Sequence, residues 1–309
     1  MKDRFLEAVK ITGAERAIFE NPEIAHLMAV SNRILSARTV EGLEFRADET
    51  EDGISAVVVL KRGVKLPHPV HICFGVLQRR GLQNIKMDVT LEPDSKASFI
   101  AHCVFPEAEK VRHIMDARIT VMDGADMHYR EVHFHGFKGG AYVNPRALVQ
   151  IMPAGSYITE FTLTHGSVGE LEIDYDVESD REAMVEMIVR VFGHGMDRIK
   201  VKERVCLKGA GARSLIKTRI ALEDNAHAEV TGITEGHAPG ARGHVDCMEI
   251  VKDRAEASAV PIVNVTHPEA KVTHEAAIGS VDRQQMETLM ARGLTPEEAV
   301  EVIVEGILR

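Results

Sequence analysis

Three side chains in the last quarter of the chain carry groups that bind transition metals. They are Cys247, in GHVDCMEI, and the neighbours His274 and Glu275, in KVTHEAAIG. Asp246 and Glu249 flank the thiol, and nearby negative charge raises a thiol pKa, which argues against a nucleophile. A bound cation reverses this effect and deprotonates the thiol. Cys247 is therefore a candidate metal ligand, while His274 and Glu275 either join it or support the entry to a following helix.

Cys103 and two histidines form a second set of candidates. Cys103 lies in the apolar run FIAHCVFP, where a free cysteine commonly acts as a small hydrophobic residue. His133 and His135 project from the same face of a strand because side chains alternate, and such a pair could hold a metal. No carboxylate is obviously placed to join them, so a hydrogen-bonded or surface pair is favoured.

Motifs for other chemistries are absent from the sequence. The chain has no GxxxxGK[ST] loop, so any nucleotide chemistry must come from elsewhere. It also has neither the GxSxG nor the HExxH motif, which removes two common classes of hydrolase.

The composition predicts a soluble, globular, cytoplasmic protein without a nucleic-acid or membrane partner. Lys and Arg total 37 and Asp and Glu total 47, and the net charge of −10 works against binding nucleic acid or anionic lipid. No segment approaches the roughly 20 apolar residues needed to cross a bilayer, and the first 20 residues do not read as a signal peptide. The four cysteines are far apart, so we expect reduced thiols.

A short pattern recurs along the chain: a polar turn, a small residue, then a strand-length run. Late in the sequence the small residues are separated by 14, 15, 14 and 15 positions, at Ala212, Ala226, Ala241, Ala255 and Ala270. Earlier ones lie at about twice that spacing, at Ala97, Ala125, Ser156 and Ala183. A constant period of strands and turns predicts a β-solenoid, with an evenly spaced jelly roll or barrel as the alternative.

Both ends of the chain predict helices. Asn21-Pro22-Glu23 resembles an N-cap followed by proline, and stretch 22–37 lacks strand alternation, which predicts a helical cap. Thr295-Pro296-Glu297-Glu298 reads as a capping box before an amphipathic helix, and Asp282 begins a helix before it. The predicted organisation is an N-terminal helical region at 1–40, a β-helix core at 41–275 and a C-terminal helical hairpin at 276–309, whose apolar stripe is expected to contact its own domain.

The C-terminal run THEAAIGSVDRQQMETLMARGLTPEEAVEVIVEGIL resembles the signature of the SufB/SufD family, with its HEA, D-x-x-Q and E-E-A elements. Upstream, SKASFIAHCVFP and GVKLPHPVHICFG resemble two further family segments. The resemblance implies a right-handed parallel β-helix with a C-terminal helical domain. It also implies a scaffold for iron-sulfur cluster assembly rather than an enzyme.

The same resemblance implies partners and site residues. The C-terminal helices would dock SufC, an ABC-type ATPase, and two copies would pair through their last coils as a homodimer that holds a transient Fe-S cluster. Cys247, His274 and Glu275 match family positions at that interface, and Cys103 matches a cysteine thought to lie on an interior sulfur route. The family's Q-x-W-type strand reads EVHFHGF here, which counts against flavin binding and against the sulfur route.

Two other functions stay open at this point. The chain could be a purely structural adaptor of an ABC ATPase, with Cys247 and His274 merely packed. It could also be a β-helix carbohydrate-active protein, although such a protein needs sugar-stacking aromatic residues, and this chain has no Trp and four Tyr.

Overall fold

The computed structural model describes residues 1–308, without the side chains of Arg283 and Glu297, and the body of the protein is a parallel β-solenoid. The strands are β1 (His26–Val30), β2 (Arg33–Arg38), β3 (Leu43–Glu49), β4 (Gly53–Leu60), β5 (Val70–Gly75), β6 (Arg80–Leu91), β7 (Lys96–Val104), β8 (Lys110–Val121), β9 (Asp126–Phe134), β10 (Ala141–Ile151), β11 (Ser156–Leu163), β12 (Gly169–Ser179), β13 (Met184–Gly193), β14 (Arg198–Leu207), β15 (Arg213–Leu222), β16 (His227–Gly236), β17 (Arg242–Val251), β18 (Glu256–Val265) and β19 (Lys271–Gly279).

Each coil contributes one strand to each of two sheets. Sheet A has the order β19-β17-β15-β13-β11-β9-β7-β5-β1-β2, and sheet B has the order β18-β16-β14-β12-β10-β8-β6-β4-β3. Within residues 1–308 all neighbouring strands are parallel except β1–β2 and β3–β4. The predicted solenoid is therefore confirmed, and the jelly roll and closed barrel are excluded.

The register explains the sequence period. The first residues of successive sheet A strands lie side by side at intervals of 28 to 30 residues, namely Lys96, Asp126, Ser156, Met184, Arg213, Arg242 and Lys271. Each of the five late alanines stands one residue before a strand, from Ala212 before β15 to Ala270 before β19. The small residue fits the tight corner between sheets, and a coil contains two such corners.

One continuous hydrophobic core fills the space between the sheets from Ala25 to Cys247. Alternate residues of each strand point inward, so the strands place Val, Ile, Leu and Ala side chains in stacked rows. Phe74, Phe99, Phe105 and Phe161 are almost fully buried in this core. Burial of each such side chain contributes about 1.5–3 kcal/mol, which explains how a narrow solenoid holds together with few aromatic residues.

Helices cover part of sheet A at the N-terminal end, as predicted, but at other residues. Helices α1 (Lys2–Val9) and α2 (Arg16–Glu20) pack Phe5, Val9 and Phe19 on the outer side of the sheet, against Met28 and Cys73. The prediction of a helix at 22–37 is wrong. Asn21 Oδ1 accepts the Glu23 N–H at 3.0 Å and closes a turn, and the chain then enters β1, which pairs with β5.

The C-terminal hairpin consists of α3 (Arg283–Met290) and α4 (Pro296–Ile307). The predicted caps are confirmed: Asp282 accepts the Gln285 N–H, and Thr295 and Glu298 form a capping box. Val304 and Leu308 pack on Ala221 of β15, so the apolar stripe does contact its own domain. Among the described residues, the helices lack the length and apolar character needed to cross a bilayer.

Candidate functional site

Cys247 points inward near the end of the solenoid. It lies on β17, directly beside Thr218 of β15, and is 3% exposed. Burial is the main reason that the pKa of this thiol rises to about 12, and the carboxyls of Glu249 and Glu203 raise it further. The thiol is therefore protonated at neutral pH, and a metal ion would have to displace its proton.

Two buried carboxyls accompany Cys247. Glu203 of β14 accepts a hydrogen bond from Thr218 Oγ1 at 2.8 Å, whereas neither oxygen of Glu249 has a partner among the described residues. Burial raises the pKa of each carboxyl to about 7. The sequence analysis named Glu249 only as a flanking charge and missed Glu203. The alternation that places Glu249 on the same side as Cys247 was the available signal.

The buried carboxyl of Glu249 predicts a pH-dependent stability. Its pKa is about 7 in the fold against an ordinary 4.5, so the free energy of unfolding falls as pH rises from 4.5 to 7 and stays lower above that range. We expect Glu249→Gln to stabilise the protein at pH 8 by at most about 3 kcal/mol and to have little effect at pH 4. Thermal melts at both pH values check this, with exposed Glu170→Gln as control. An equal gain at both pH values would contradict the assignment.

His274 lies on β19, the strand next to Cys247. The two strands pair with Val245 beside His274 and Cys247 beside Ala276, so His274 and Cys247 project to the same, inward side two positions apart. Both His274 and Glu275 are exposed. Glu275 lies beside Asp246 and projects to the outer side, because the strand alternation continues to Gly279.

The inward side of the last coil, made by β18 and β19, is called the open end here. These strands are the edges of sheets B and A, and no further coil of the described chain covers them. As a result Val263, Val265 and Ile278 are 37%, 43% and 47% exposed, although the residues at the equivalent positions one coil earlier in their sheets are buried or nearly so. The open end therefore combines two unpaired strand edges, an apolar surface and His274.

Cys103 belongs to a separate polar cluster deep in the solenoid. Its Sγ lies 3.9 Å from Glu131 Oε1 and 3.9 Å from His113 Nε2, and Glu131 Oε1 lies 2.6 Å from His133 Nε2. His133 Nδ1 is 2.8 Å from His135 Nε2, so the predicted hydrogen-bonded histidine pair is present. The sequence predicted no carboxylate beside this histidine pair, but the carboxylate of Glu131 contacts His133. Burial raises the pKa of Cys103 and lowers that of His113 to about 3.

Comparison with known proteins identifies the chain. Residues 76–307 match the family model described as SUF system FeS cluster assembly, SufBD core domain. The chain belongs to the SufBD family. An iron-sulfur cluster assembly SufBD family protein of Methanocaldococcus jannaschii is 38% identical over 303 residues, which cover 98% of this chain and 96% of that protein. One of Pyrococcus horikoshii is 32% identical over 306 residues, covering 99% and 93%.

Longer members are more distant from this SufBD protein. A SufBD family protein of Methanothermobacter thermautotrophicus is 25% identical over 252 residues, which cover 80% of this chain but only 60% of that protein. The family match covers the C-terminal hairpin and the strands that contain Cys103 and Cys247, and it therefore confirms the resemblance over residues 76–307.

Proposed function

We propose that this SufBD protein is a scaffold on which a labile iron-sulfur cluster is built between two copies of the chain. One observation carries the proposal: Cys247 and His274 lie on adjacent strands and face the same side at the uncovered end of a SufBD-family solenoid. In this proposal the cluster is the cargo of the protein, and no catalytic step by the chain itself is required.

The open end provides the surface for a homodimer. Strands β18 and β19 present unpaired backbone groups, which pair readily with another strand. A second copy would cover the exposed side chains of Val263, Val265 and Ile278. The hydrophobic cores of the two copies would then be continuous across the interface. Two identical edges related by a two-fold axis form a closed, self-complementary interface, which gives a dimer rather than a fibre.

The proposed ligands are Cys247, His274 and Glu275 from each copy. Each thiol must lose its proton to bind iron, and each imidazole binds in its neutral form. Glu275 projects to the outer side of the edge strand, so it would reach the cluster only around the margin of the interface between the two copies. A site with few thiolates should hold iron less firmly than four cysteines do, and a scaffold must release the cluster it builds.

Because Cys247 is buried, the interface between the two copies, called the seam here, has to open during cluster assembly. We assign this movement to a SufC-like ABC ATPase docked on the C-terminal hairpin. The hairpin contains an open groove of about 670 Å³ between α3 and α4, which is lined by Leu289, Val302 and Ile307 among others. Val302 is 47% exposed on the outward side of α4. ATP-driven movement of two docked subunits would shear the seam and expose Cys247, His274 and Glu275.

The carbohydrate-active alternative gains no support from the outer face of sheet B. A groove of about 610 Å³ crosses this face, and its carboxylates include Asp116, paired with Arg146, and Asp174, paired with Lys202. The described residues that line this groove include no aromatic side chain on which a sugar ring could stack.

Anaerobic co-expression with an ABC-type ATPase tests the proposed function. We expect the two proteins to co-purify with iron and acid-labile sulfide in comparable amounts. Co-purification of the ATPase without iron or sulfide would contradict the scaffold and support the adaptor. Binding of oligosaccharide alone, with neither ATPase nor iron, would support the carbohydrate-active alternative.

A further inference from the structure

The polar cluster around Cys103 contains a complete set of metal-binding donors inside an apolar core. Cys103 of β7 lies beside His133 of β9, Glu131 stands two residues before His133, and His113 of β8 reaches them across the core. One donor atom each of Cys103, Glu131 and His133 lies within 4.8 Å of the other two. Sulfur, oxygen and imidazole nitrogen together are the donor set of borderline divalent metals such as Zn²⁺, Co²⁺ and Fe²⁺.

The burial of these groups is hard to explain without a cation. Cys103 and His113 are fully buried, and Glu131 and His133 are 1% and 3% exposed. The buried side chains of the described residues include no lysine or arginine, so the imidazole of His133, 2.6 Å from Glu131 Oε1, is the one group of the cluster that could compensate this carboxyl. A buried carboxylate without such compensation costs several kcal/mol, and a divalent ion would remove that cost.

Unpartnered atoms around the cluster point to the same conclusion. Glu131 Oε2, His113 Nδ1 and His135 Nδ1 are buried without a hydrogen-bond partner among the described residues. Buried polar atoms are nearly always paired, and the unpaired oxygen belongs to the carboxyl that also contacts Cys103 and His133, which indicates a missing ligand there. The hydroxyl of Tyr129, which also lacks a partner, lies on the same strand as Glu131.

The distances among Cys103, Glu131 and His133 fit one metal ion after small movements. A tetrahedral ion bound at about 2.0–2.3 Å holds its donors roughly 3.3–3.7 Å apart. Cys103 Sγ already lies 3.9 Å from both Glu131 Oε1 and His113 Nε2. The 2.6 Å contact between Glu131 and His133 would open by about 1 Å as the ion replaces the hydrogen bond.

The side chains around the cluster would orient a metal-bound imidazole and exclude water. His133 would bind through Nε2, and its Nδ1–H would then donate to His135 Nε2 at 2.8 Å, an arrangement that orients metal-bound imidazoles. The rings of Phe105 and Phe161 lie 5.0 Å from His113 and 4.6 Å from His133 and keep the site dry. Binding would release the thiol proton of Cys103 to solvent.

We propose that Cys103, Glu131 and His133 form an interior site for one divalent transition-metal ion, with His113 beside Cys103 as a fourth donor and His135 as the positioning residue of His133. This site is separate from the open end and from Cys247, which lies one strand inside that end. The inference does not depend on the proposed scaffold function, because it concerns a single ion bound without sulfide.

Cobalt titration of the full chain tests this site. The protein is stripped of metal under anaerobic conditions, unfolded, and refolded with Co²⁺ as the only metal. We expect about one Co²⁺ per chain at this site, with a thiolate-to-Co²⁺ absorption band that Cys103→Ser abolishes. Glu131→Gln keeps the shape of the side chain and should weaken Co²⁺ binding by about tenfold or more. Far-UV circular dichroism of each variant confirms that it has refolded.

Two other cysteines serve as matched controls. Cys206 forms a cluster of the same residue types with Glu235 and His237, but the latter two are only partly buried. Cys247 lies on β17, next to the edge strand β19 of the open end. Cys206→Ser and Cys247→Ser should retain the band. The proposal is overturned if Cys103→Ser keeps the band, if Cys206→Ser or Cys247→Ser loses it, or if the wild type binds no Co²⁺. Normal Co²⁺ binding by a protein that assembles no cluster would refute the scaffold and leave this site intact.

Discussion

Replacing Cys247 by alanine is expected to reduce the yield of reconstituted cluster by about tenfold or more, because the proposed site contains one thiolate from each chain. Alanine leaves a small cavity near the end of the core, so the fold should survive. The change is measured as iron, acid-labile sulfide and visible absorbance after anaerobic reconstitution with the ATPase subunit bound.

Cys206→Ala is the control for the Cys247 variant. Cys206 is also buried, on β14, but it lies away from the open end. It should assemble as much cluster as the wild type. Undiminished absorbance in Cys247→Ala, or a loss of equal size in both variants, would remove Cys247 from the ligands.

Changing Ile278 to glutamate is expected to dissociate the proposed dimer. Ile278 lies on the inward side of β19, and Glu249 lies beside it on β17. A charged side chain here would be buried without a partner at the seam, at a cost of about 3 kcal/mol or more, which corresponds to a roughly hundredfold weaker association. Sedimentation velocity over a dilution series of the ATPase-bound protein measures the change.

Val57→Glu provides the matched control for the seam. Val57 is 43% exposed, close to the 47% of Ile278, but it lies on β4 near the opposite end of the solenoid. This variant should dimerise like the wild type. A dimer that tolerates Ile278→Glu but not Val57→Glu would place the contact at the N-terminal end.

The solenoid was predictable because its signal repeats. A corner residue must be small in every coil, so the alanines from Ala212 to Ala270 stand out at constant spacing and lie one residue before their strands. The prediction was weaker in the earlier coils. Ala97 and Ser156 lie inside β7 and β11 rather than at the corners, because Ser95 and Gly155 occupy those places.

The helix predicted at 22–37 was wrong for a local reason. Asn21 followed by proline is compatible with either a helix cap or a turn, and the side-chain bond of Asn21 to the Glu23 N–H closes the turn. Strand β1 is buried along its whole length, so it shows no alternation of polar and apolar residues. Such a strand cannot be recognised by its period and depends on pairing with β5.

The sites were only partly predictable. The shared side of Cys247 and His274 is readable from the sequence, since it follows from strand alternation and from the constant register of successive coils. The cluster at Cys103 joins side chains from two sheets, and its members His113 and Glu131 are brought together only by the stacking of coils. Glu131, by contrast, lies two residues before His133 on the same strand, so alternation alone was enough to place this carboxyl beside the histidine pair, and the sequence analysis overlooked it.

The central claim is that the cluster lies between two copies at the open end. Its most direct test separates the monomer and dimer of the anaerobically reconstituted, ATPase-bound protein and measures iron and sulfide in each fraction. We expect both elements to elute with the dimer and the Ile278→Glu monomer to contain neither. A monomer that holds as much cluster per chain as the dimer would contradict the claim.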